Sequence, residues 1–178
     1  FIGFSEDALT DKVRKVFYNK SDKQLFSKYK IINTASFPFY SNIISSEFDE
    51  KRIQKVLYRP FDERSIYYDE VIQRRASYNT MKHLLKTNIA LATCRQQSTF
   101  DFQHIFVSNC ITERCTVSLQ TKETGYVFPL YIYSNISNQA TLDKTTRNPN
   151  LNPTIVKQIA EKLNLQFTHE KEPNPNTF

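Results

Sequence analysis

The spacing of apolar residues predicts helices at the start of the chain. Over residues 5–18 apolar side chains recur at three- and four-residue intervals, and Ser5 is placed to cap the helix, with two acidic residues in its first turn. The apolar face of this predicted helix consists of Leu9, Val13, Val16 and Phe17. Residues 22–30 predict a second short helix, whereas residues 31–48, which lack a clear period and contain Pro38, predict a loop and a short strand.

In the central part of the chain, the spacing of apolar residues alternates between the period of a strand and that of a helix. Alternation over residues 53–58 predicts a strand that ends before Pro60, because proline has no N–H for the sheet ladder. A short strand is predicted at 65–68. Residues 77–87 predict the main central helix, with Ser77 as its N-cap. Its inward side chains are predicted to be Met81, Leu84 and Leu85.

Strands dominate the remaining sequence up to residue 134. Runs rich in β-branched and aromatic residues predict strands at 88–95, 103–108, 115–120 and 126–133, the last as part of the core. Polar residues over 134–152 predict a loop. A helix at 153–164 follows, with Pro153 in its first turn and one apolar stripe. That stripe consists of Ile155, Ile159 and Leu163.

This irregular mixture of elements predicts an α+β fold with a mixed, mainly antiparallel sheet and flanking helices. The length of 178 residues suits one domain. We expect that domain to have its core at about 50–134, a polar loop at 135–152 and a C-terminal helix at 153–164. Because the chain opens on Phe1 rather than Met and ends on a polar tail, we expect a fragment of a longer polypeptide.

Composition argues against several classes of function. The only glycines are Gly3 and Gly125, so no glycine-rich loop for phosphate or S-adenosylmethionine is predicted. Three cysteines without a CxxC pair predict neither a disulfide framework nor a zinc site. No carboxylate–lysine cluster or Ser-His-Asp set stands out, so we predict no catalytic residue, metal ligand or cofactor. Without a signal peptide or an apolar run of membrane-spanning length, we expect a cytoplasmic protein with no membrane partner.

The charge balance favours nucleic acid as a partner. The formal net charge is +6 and the pI is about 9.2, and phosphates attract lysine and arginine. Basic residues are spread along the chain without a basic tail. Any DNA-binding surface must therefore be assembled by folding.

An ordered set of short segments resembles a known family. The first is the sequence LYRPFDERSIYYD at residues 57–69. The later ones are Met81–Leu85, Asn88–Leu91 with Arg95 and Gln96, His104–Ser108 and Phe128–Tyr133. In this order, over roughly residues 50–170, they resemble the C-terminal specificity domain of single-chain type ISP restriction–modification enzymes, which type IIG enzymes and many predicted helicases share. Where that family often has Arg-Pro-Arg, this chain has basic residues without the proline, at Arg74-Arg75-Ala76-Ser77.

The resemblance implies a division of labour within a larger restriction–modification protein. This domain would recognise a sequence in double-stranded DNA without catalysis or a cofactor of its own. The methyltransferase domain of the same polypeptide would modify adenine N6 with S-adenosylmethionine, and accompanying nuclease or translocase parts would need Mg²⁺ and ATP. The alternatives are a non-catalytic interaction module that couples methyltransferase to motor parts, and a nuclease domain.

Side chains that can grip phosphates or read base edges define the candidate DNA-binding site. They are Arg59, Arg64, Arg74, Arg75, Lys82, Arg95, Gln96, Gln97, Asn109 and Arg114. Arg59 and Arg64 have a structural alternative, in which they pair with Asp62 or Asp69 and pin two strands together. Arg74 and Arg75 would form a phosphate clamp beside a helix N-terminus, or else a solvated loop pair.

The remaining candidates also have two interpretations. Arg95, Gln96 and Gln97 would contact bases or backbone, or else organise a polar strand end. Asn109, Glu113 and Arg114 have the chemistry of a specificity loop, although loops are commonly polar. His83 is interpreted as a partly buried structural histidine rather than a DNA ligand.

Overall fold

The computed structural model describes residues 1–96, 101, 104–117, 122–134 and 147–166. Within these ranges the α-helices are Glu6–Tyr18 (α1), Lys23–Lys28 (α2), Phe39–Ser45 (α3), Tyr78–Met81 (α4) and Pro153–Leu163 (α5), and 3₁₀ turns span Glu50–Arg52 and Lys82–Leu85. The strands are Ile2–Gly3 (β1), Asn33–Thr34 (β2), Phe37–Pro38 (β3), Ile53–Arg59 (β4), Asp62–Tyr67 (β5), Ala90–Cys94 (β6), Ile105–Ser108 (β7), Ile111–Thr112 (β8), Gly125–Pro129 (β9), Tyr131–Tyr133 (β10) and Arg147–Pro149 (β11).

Helices combined with mostly antiparallel strands confirm the predicted α+β fold. The chain divides into two compact units, residues 1–128 and 129–178. Among the described residues, no helix has the length and apolar character that crossing a membrane requires.

Two sheets organise the first unit. One has the strand order β1-β5-β4-β8, in which β4 and β5 form an antiparallel hairpin and β8 adds to β4 in parallel. The parallel pairing places Val56 beside Ile111 and Leu57 beside Thr112. The other sheet has the order β7-β6-β9. The predicted strands at 53–58 and 88–95 are confirmed, and the one predicted at 65–68 begins earlier, because hairpin pairing extends it to Asp62.

Strand β5 is buried on both faces, because successive side chains of a strand point in opposite directions. Tyr67 is fully buried in a cluster with helix α1, where its ring packs on Phe17 and Phe48. Its hydroxyl oxygen accepts a hydrogen bond from the Asp49 amide at 3.2 Å. The adjacent Ile66 lies in a second cluster with Val56, Met81, Leu84, Ala90 and Ile111. Helix α1 and the second cluster therefore cover opposite sides of one hairpin.

Helix α1 confirms the pattern of residues 5–18. Ser5 caps it by accepting a hydrogen bond from the Ala8 amide, and the four predicted apolar residues are all buried. Helix α2 confirms the short helix predicted at 22–30, with Asp22 as its N-cap. Residues 31–48 differ from the prediction, because a small β2–β3 hairpin is followed by helix α3. Ile43 of that helix is fully buried in the cluster around α1, so tertiary packing supplies the helix with a buried face.

The helix predicted at 77–87 is wrong in form. Its place is taken by the four-residue α4 and the 3₁₀ turn that follows. Ser77 makes no capping hydrogen bond from its side chain, and its backbone is left-handed with φ 49°. Met81 and Leu84 are nevertheless buried as expected, because a short irregular turn suffices to bring both into the second cluster.

Two predicted strands are also wrong. The segment predicted as a strand from residue 115 begins as a turn over Cys115–Val117, and residues 118–120 lie outside the described ranges. The strand predicted at 126–133 is two strands in different sheets, β9 and β10. It is also not wholly core, since Tyr126 is 43% exposed and Phe128 is 52% exposed. Strand β7 begins at Ile105, and residue 103 of its predicted range lies outside the described ranges.

The second unit contains the β10–β11 ladder and helix α5. The Asn152 side chain caps α5 by accepting hydrogen bonds from the Thr154 and Ile155 amides, and Pro153 occupies the first turn as predicted. Asn164 ends the helix in the left-handed conformation that C-terminal caps favour. Strand β11 falls within the loop predicted at 134–152, of which residues 135–146 lie outside the described ranges.

The left-handed backbone at residue 77 generates a stability prediction. Ser77→Gly should raise the free energy of unfolding by about 0.5–1 kcal/mol, because glycine adopts positive φ without the steric cost of a Cβ atom. Ser5→Gly, at a true N-cap with extended backbone, should not stabilise the protein. Urea denaturation of both variants measures the difference. A loss of stability on Ser77→Gly would contradict the assignment of strain to this residue.

Candidate nucleic-acid interface

The tip of the β4–β5 hairpin is a tight turn with strained backbone. A bulge lies between Leu57 and Arg59 in β4, and the turn passes through Pro60 and Phe61 before β5 begins. Phe61 has a φ of 62°, which is rare for a bulky residue, and its side chain is 95% exposed. Surrounding interactions must hold this turn in place, because the residue itself disfavours the conformation.

Arginine–aromatic stacking braces the turn. The Tyr58 ring lies 3.9 Å from the guanidinium carbon of Arg59 and 4.0 Å from that of Arg64, measured to the ring centroid. The Arg64 guanidinium also lies 4.0 Å from the Phe4 ring centroid. Such contacts are attractive because the cation faces the negative face of the ring. They hold both arginines beside the strands rather than extended into solvent.

Arg64 forms a bidentate ion pair with Asp62 across the start of β5. Its Nε donates to Asp62 Oδ1 and Oδ2 at 3.1 and 3.0 Å, and its Nη2 donates to Oδ2 at 2.7 Å. Hydrogen bonding from Arg64 holds the pKa of Asp62 below its usual value, and the same bonds raise the pKa of Arg64. The pairing with Asp62 considered for Arg64 is therefore present, but both residues belong to β5, so the pair does not pin two strands together.

Arg59 pairs with Glu113 rather than with the carboxylates considered from the sequence. Its Nη1 donates to Glu113 Oε2 at 2.8 Å, across 54 positions of sequence. Asp69 instead pairs with Arg52, and its Oδ1 accepts hydrogen bonds from the Val71 and Ile72 amides. Asp69 thus fixes the beginning of the loop after β5 and takes no part in the hairpin tip.

Glu113 is the junction between the hairpin and the segment after β8. Its Oε2 also accepts a hydrogen bond from the Cys115 amide at 2.8 Å, and its own amide donates to the Leu57 carbonyl at 3.0 Å. The Thr116 hydroxyl, fully buried, donates to the same Leu57 carbonyl at 2.9 Å. These bonds turn the chain at residues 113–116, which explains why the predicted strand does not form there.

A groove of about 730 Å³ lies beside this junction in the first unit. Four of the predicted DNA-binding arginines line it, and we call it the arginine groove: Arg59, Arg74, Arg75 and Arg114. Its apolar lining consists of Ile2, Val56, Ile66, Met81, Ile111 and Val127. Folding therefore brings cations from three separate segments together over an apolar base.

The loop at 73–77 places two of these arginines. Arg75 and Ser77 both have left-handed backbone, with φ of 58° and 49°. The Tyr68 hydroxyl anchors the loop by donating to the Ala76 carbonyl at 2.6 Å, and burial raises the pKa of Tyr68, so the donor proton is retained. Arg74 and Arg75 are exposed, and Arg74 donates to the Ser36 hydroxyl at 3.0 Å. Exposure of this pair is what both the phosphate-clamp interpretation and the solvated-loop alternative require.

Arg114 lies in the segment that follows β8 and lines the groove. Its Nε donates to the Thr124 hydroxyl at 3.0 Å, which orients the guanidinium plane. Gly125 follows Thr124, and its amide donates to the Arg114 carbonyl at 2.7 Å. A Cβ atom at residue 125 would lie 3.0 Å from that carbonyl oxygen, which is tighter than most Cβ contacts, so the close approach favours glycine.

The other predicted site residues that the structure describes do not line the arginine groove. Lys82 is half-buried at the start of the 3₁₀ turn, while Arg95, Gln96 and Asn109 are exposed near the ends of β6 and β7. Gln97 lies outside the described ranges. His83 is buried as expected, and this burial lowers the pKa of its imidazole. Arg64 does not line the groove, although its guanidinium stacks on Tyr58, which does.

The sequence predicted no binding role for several polar residues that line the groove. They are Tyr58, Gln73, Ser77, Thr112 and Thr124. Tyr58 and Thr112 occupy strands in which polar positions are ordinary, and their placement depends on the parallel pairing of β8 with β4. Gln73 could have been suspected only from its position beside Arg74 and Arg75.

The depressed pKa of Asp62 generates a prediction of pH dependence. A carboxylate whose pKa is lower in the folded state adds stability above its ordinary pKa of 3.8, and this contribution is lost as the pH falls through the folded value. Asp62→Asn should therefore lower the melting temperature at about pH 6 by more than at about pH 3. Asp11→Asn, at an exposed helical pair, is the control and should show little pH-dependent difference. Equal effects of Asp62→Asn at both pH values would contradict the ion pair.

Solved structures share this fold. The matched part of the cryoEM structure of a DrdV–DNA complex has a TM-score of 0.63 and 16% identity over 90% of this chain. The ATP-dependent Type ISP restriction-modification enzyme LlaBIII bound to DNA has a TM-score of 0.57 and 14% identity over 86% of this chain. A nuclease-deletion mutant of the Type ISP enzyme LlaGI in complex with a DNA substrate mimic has a TM-score of 0.57 and 14% identity over 84% of this chain. At such low identity, these likenesses show the fold alone.

The chain corresponds to a small part of those proteins. The match spans 16% of the DrdV chain, 10% of the LlaBIII chain and 13% of the LlaGI chain. No curated protein sequence matches the chain significantly. The model of the Type ISP C-terminal specificity domain family matches residues 1–175. This 178-residue chain therefore belongs to the Type ISP C-terminal specificity domain family.

Proposed function

We propose that this domain recognises a sequence in double-stranded DNA for a longer restriction–modification polypeptide that methylates adenine N6. The observation that carries the proposal is the arginine groove, in which four arginines converge from three separate segments. The three DNA complexes that share the fold support DNA as the ligand. The net charge of +6 agrees with a phosphate-binding partner.

The four arginines would have different roles in this groove. Arg74 and Arg75 are exposed on a strained loop, so they suit contacts with phosphates, which position the duplex. Arg114 has its guanidinium plane oriented by Thr124, and an oriented planar fork is what bidentate recognition of guanine requires. Arg59 is engaged by Glu113 and stacked on Tyr58, so it would shape the groove rather than read bases.

The chemistry of modification would belong to other parts of the polypeptide. The methyltransferase domain, as the partner of this domain, would bind S-adenosylmethionine, and any nuclease or translocase part would use Mg²⁺ and ATP. This domain would act in the cytoplasm without catalysis or a cofactor. Arg64, Lys82, Arg95, Gln96 and Asn109 remain predicted DNA contacts outside the arginine groove, and Gln97 remains a predicted DNA contact.

A domain exchange tests the proposal directly. Residues 1–178 would replace the matching segment of a related single-chain enzyme with a known methylation motif, and methylated adenines would be mapped across the host genome. A new motif with retained activity is the expected result. An unchanged motif with normal activity would show that recognition lies elsewhere, and would favour the alternative that the domain couples methyltransferase to motor parts.

Substitutions in the groove should separate phosphate contact from base reading. In the full-length protein, Arg75→Ala should weaken binding to all sequences and reduce the slope of log affinity against log salt by about 1. Arg114→Ala should relax specificity at one position by about 1–3 kcal/mol. Both effects are measured by fluorescence anisotropy on matched and mismatched duplexes over a salt series.

Lys15→Ala is the matched control, because Lys15 is an exposed cation on α1 outside the groove. It should change neither the salt slope nor the specificity. If Arg75→Ala and Lys15→Ala weakened binding equally, the groove would have no special role in contacting DNA.

A further inference from the structure

Glu113 brings a negative charge into a groove that gathers arginines. Among the described residues that line the arginine groove, it alone carries a carboxylate. Its side chain is 26% exposed, so the carboxylate is not closed off from a ligand. Because like charges repel, this carboxylate opposes the binding of phosphates in the groove. A groove that only gripped the DNA backbone would bind more tightly without it.

The structural hydrogen bonds of Glu113 occupy one of its two carboxylate oxygens. Oε2 accepts hydrogen bonds from Arg59 Nη1 and from the Cys115 amide, both at 2.8 Å. In the part of the chain that the structure describes, Oε1 accepts no hydrogen bond. A glutamine side chain has one carbonyl oxygen, which could accept both structural bonds. These bonds therefore do not require the second oxygen.

The free oxygen is held in a defined place. The Glu113 amide donates to the Leu57 carbonyl at 3.0 Å, and the Glu113 carbonyl accepts from the Thr116 amide at 3.1 Å. Together with the two bonds at Oε2, these contacts fix both the backbone and the side chain. An acceptor that is ordered before binding loses little conformational entropy when a ligand arrives.

The four bases differ in what they offer to a carboxylate oxygen. In the major groove, guanine and thymine present acceptors to an incoming side chain, which a carboxylate repels. Adenine presents its N6 amine beside the acceptor N7, an arrangement that suits an amide side chain. Cytosine presents its N4 amine as a donor without a neighbouring acceptor. Cytosine is therefore the base that a carboxylate in this groove favours.

We propose that Glu113 is a specificity-determining residue, whose free oxygen accepts a hydrogen bond from N4 of a cytosine in the recognition sequence. This inference rests on the proposed function, in which the arginine groove holds duplex DNA. Arg114, the next residue, lines the same groove and suits guanine, so the two residues together favour a sequence that contains G·C pairs. Repulsion by Glu113 lowers binding to all sequences, and the bond to cytosine restores affinity at the recognition sequence alone.

Glu113→Gln tests the proposal, because glutamine can keep both structural bonds while an amide donor replaces the free acceptor. In the full-length protein, preference for cytosine at one position of the recognition sequence should fall about tenfold or more. Preferences at the other positions should not change. The recognition sequence is taken from mapped methylated adenines, and fluorescence anisotropy is measured on duplexes in which each base pair is replaced in turn.

Glu63→Gln is the matched control, because Glu63 is an exposed acid of β5 that does not line the arginine groove. It should leave every base preference unchanged. Equal tightening of all duplexes by Glu113→Gln would assign the carboxylate to charge balance, and equal weakening would assign it to support of the fold. Either result would overturn the proposal, as would a recognition sequence without a G·C pair.

A change in the DNA makes the test independent of protein folding. Each cytosine of the recognition sequence is replaced in turn by pyrimidin-2-one, a cytosine analogue that lacks the amino group. The unsubstituted protein should lose affinity several-fold at one cytosine, and Glu113→Gln should show no such loss there. The same replacement in flanking DNA should have no effect. The proposal is wrong if the unsubstituted protein tolerates the analogue everywhere, or if Glu113→Gln shows the same loss.

Failure of this inference is distinct from failure of the proposed function. If only the inference fails, the methylation motif still moves with the domain on exchange, while Glu113→Gln keeps its preference for cytosine. If the proposed function fails, the motif does not move, and Arg114→Ala in the same groove also leaves every base preference unchanged.

Discussion

The double-sided burial of strand β5 is the constraint on which the rest of the first unit depends. Tyr67 faces the cluster around α1 and Ile66 faces the cluster around Met81, so one hairpin supports two packing layers. The Asp49 amide hydrogen bond to the Tyr67 hydroxyl adds a polar restraint inside the first layer. Because the backbone of β5 is held from both faces, its partner β4 can present a strained turn at its end without loss of the fold.

Hydrogen bonds at the end of β4 connect the rigid hairpin to the residues that line the arginine groove. The Leu57 carbonyl accepts hydrogen bonds from both the Glu113 amide and the Thr116 hydroxyl. The Glu113 carboxylate in turn accepts a hydrogen bond from Arg59. Arg114 follows directly in the chain, so the same turn that joins β8 to β4 also directs the predicted base-reading residue. A binding site built on such a strand junction is preorganised, which reduces the side-chain entropy lost when a ligand binds.

Three of the six described residues other than glycine with positive φ lie at the hairpin tip or in the loop that lines the arginine groove. They are Phe61, Arg75 and Ser77. Left-handed backbone costs about 1–2 kcal/mol for residues with a Cβ atom, so it persists where surrounding contacts impose it.

The sequence by itself determined the elements with strong local signals. The N-cap and buried apolar face of α1, Pro153 in the first turn of α5, the α+β class and the burial of His83 follow from residue type and spacing. The ordered motifs also identified the family, which the match to residues 1–175 confirms. Only the tertiary structure decided that Arg59 pairs with Glu113, that Ser77 is left-handed and that β8 pairs in parallel with β4. Those outcomes depend on contacts between residues far apart in the chain, which local periodicity does not encode.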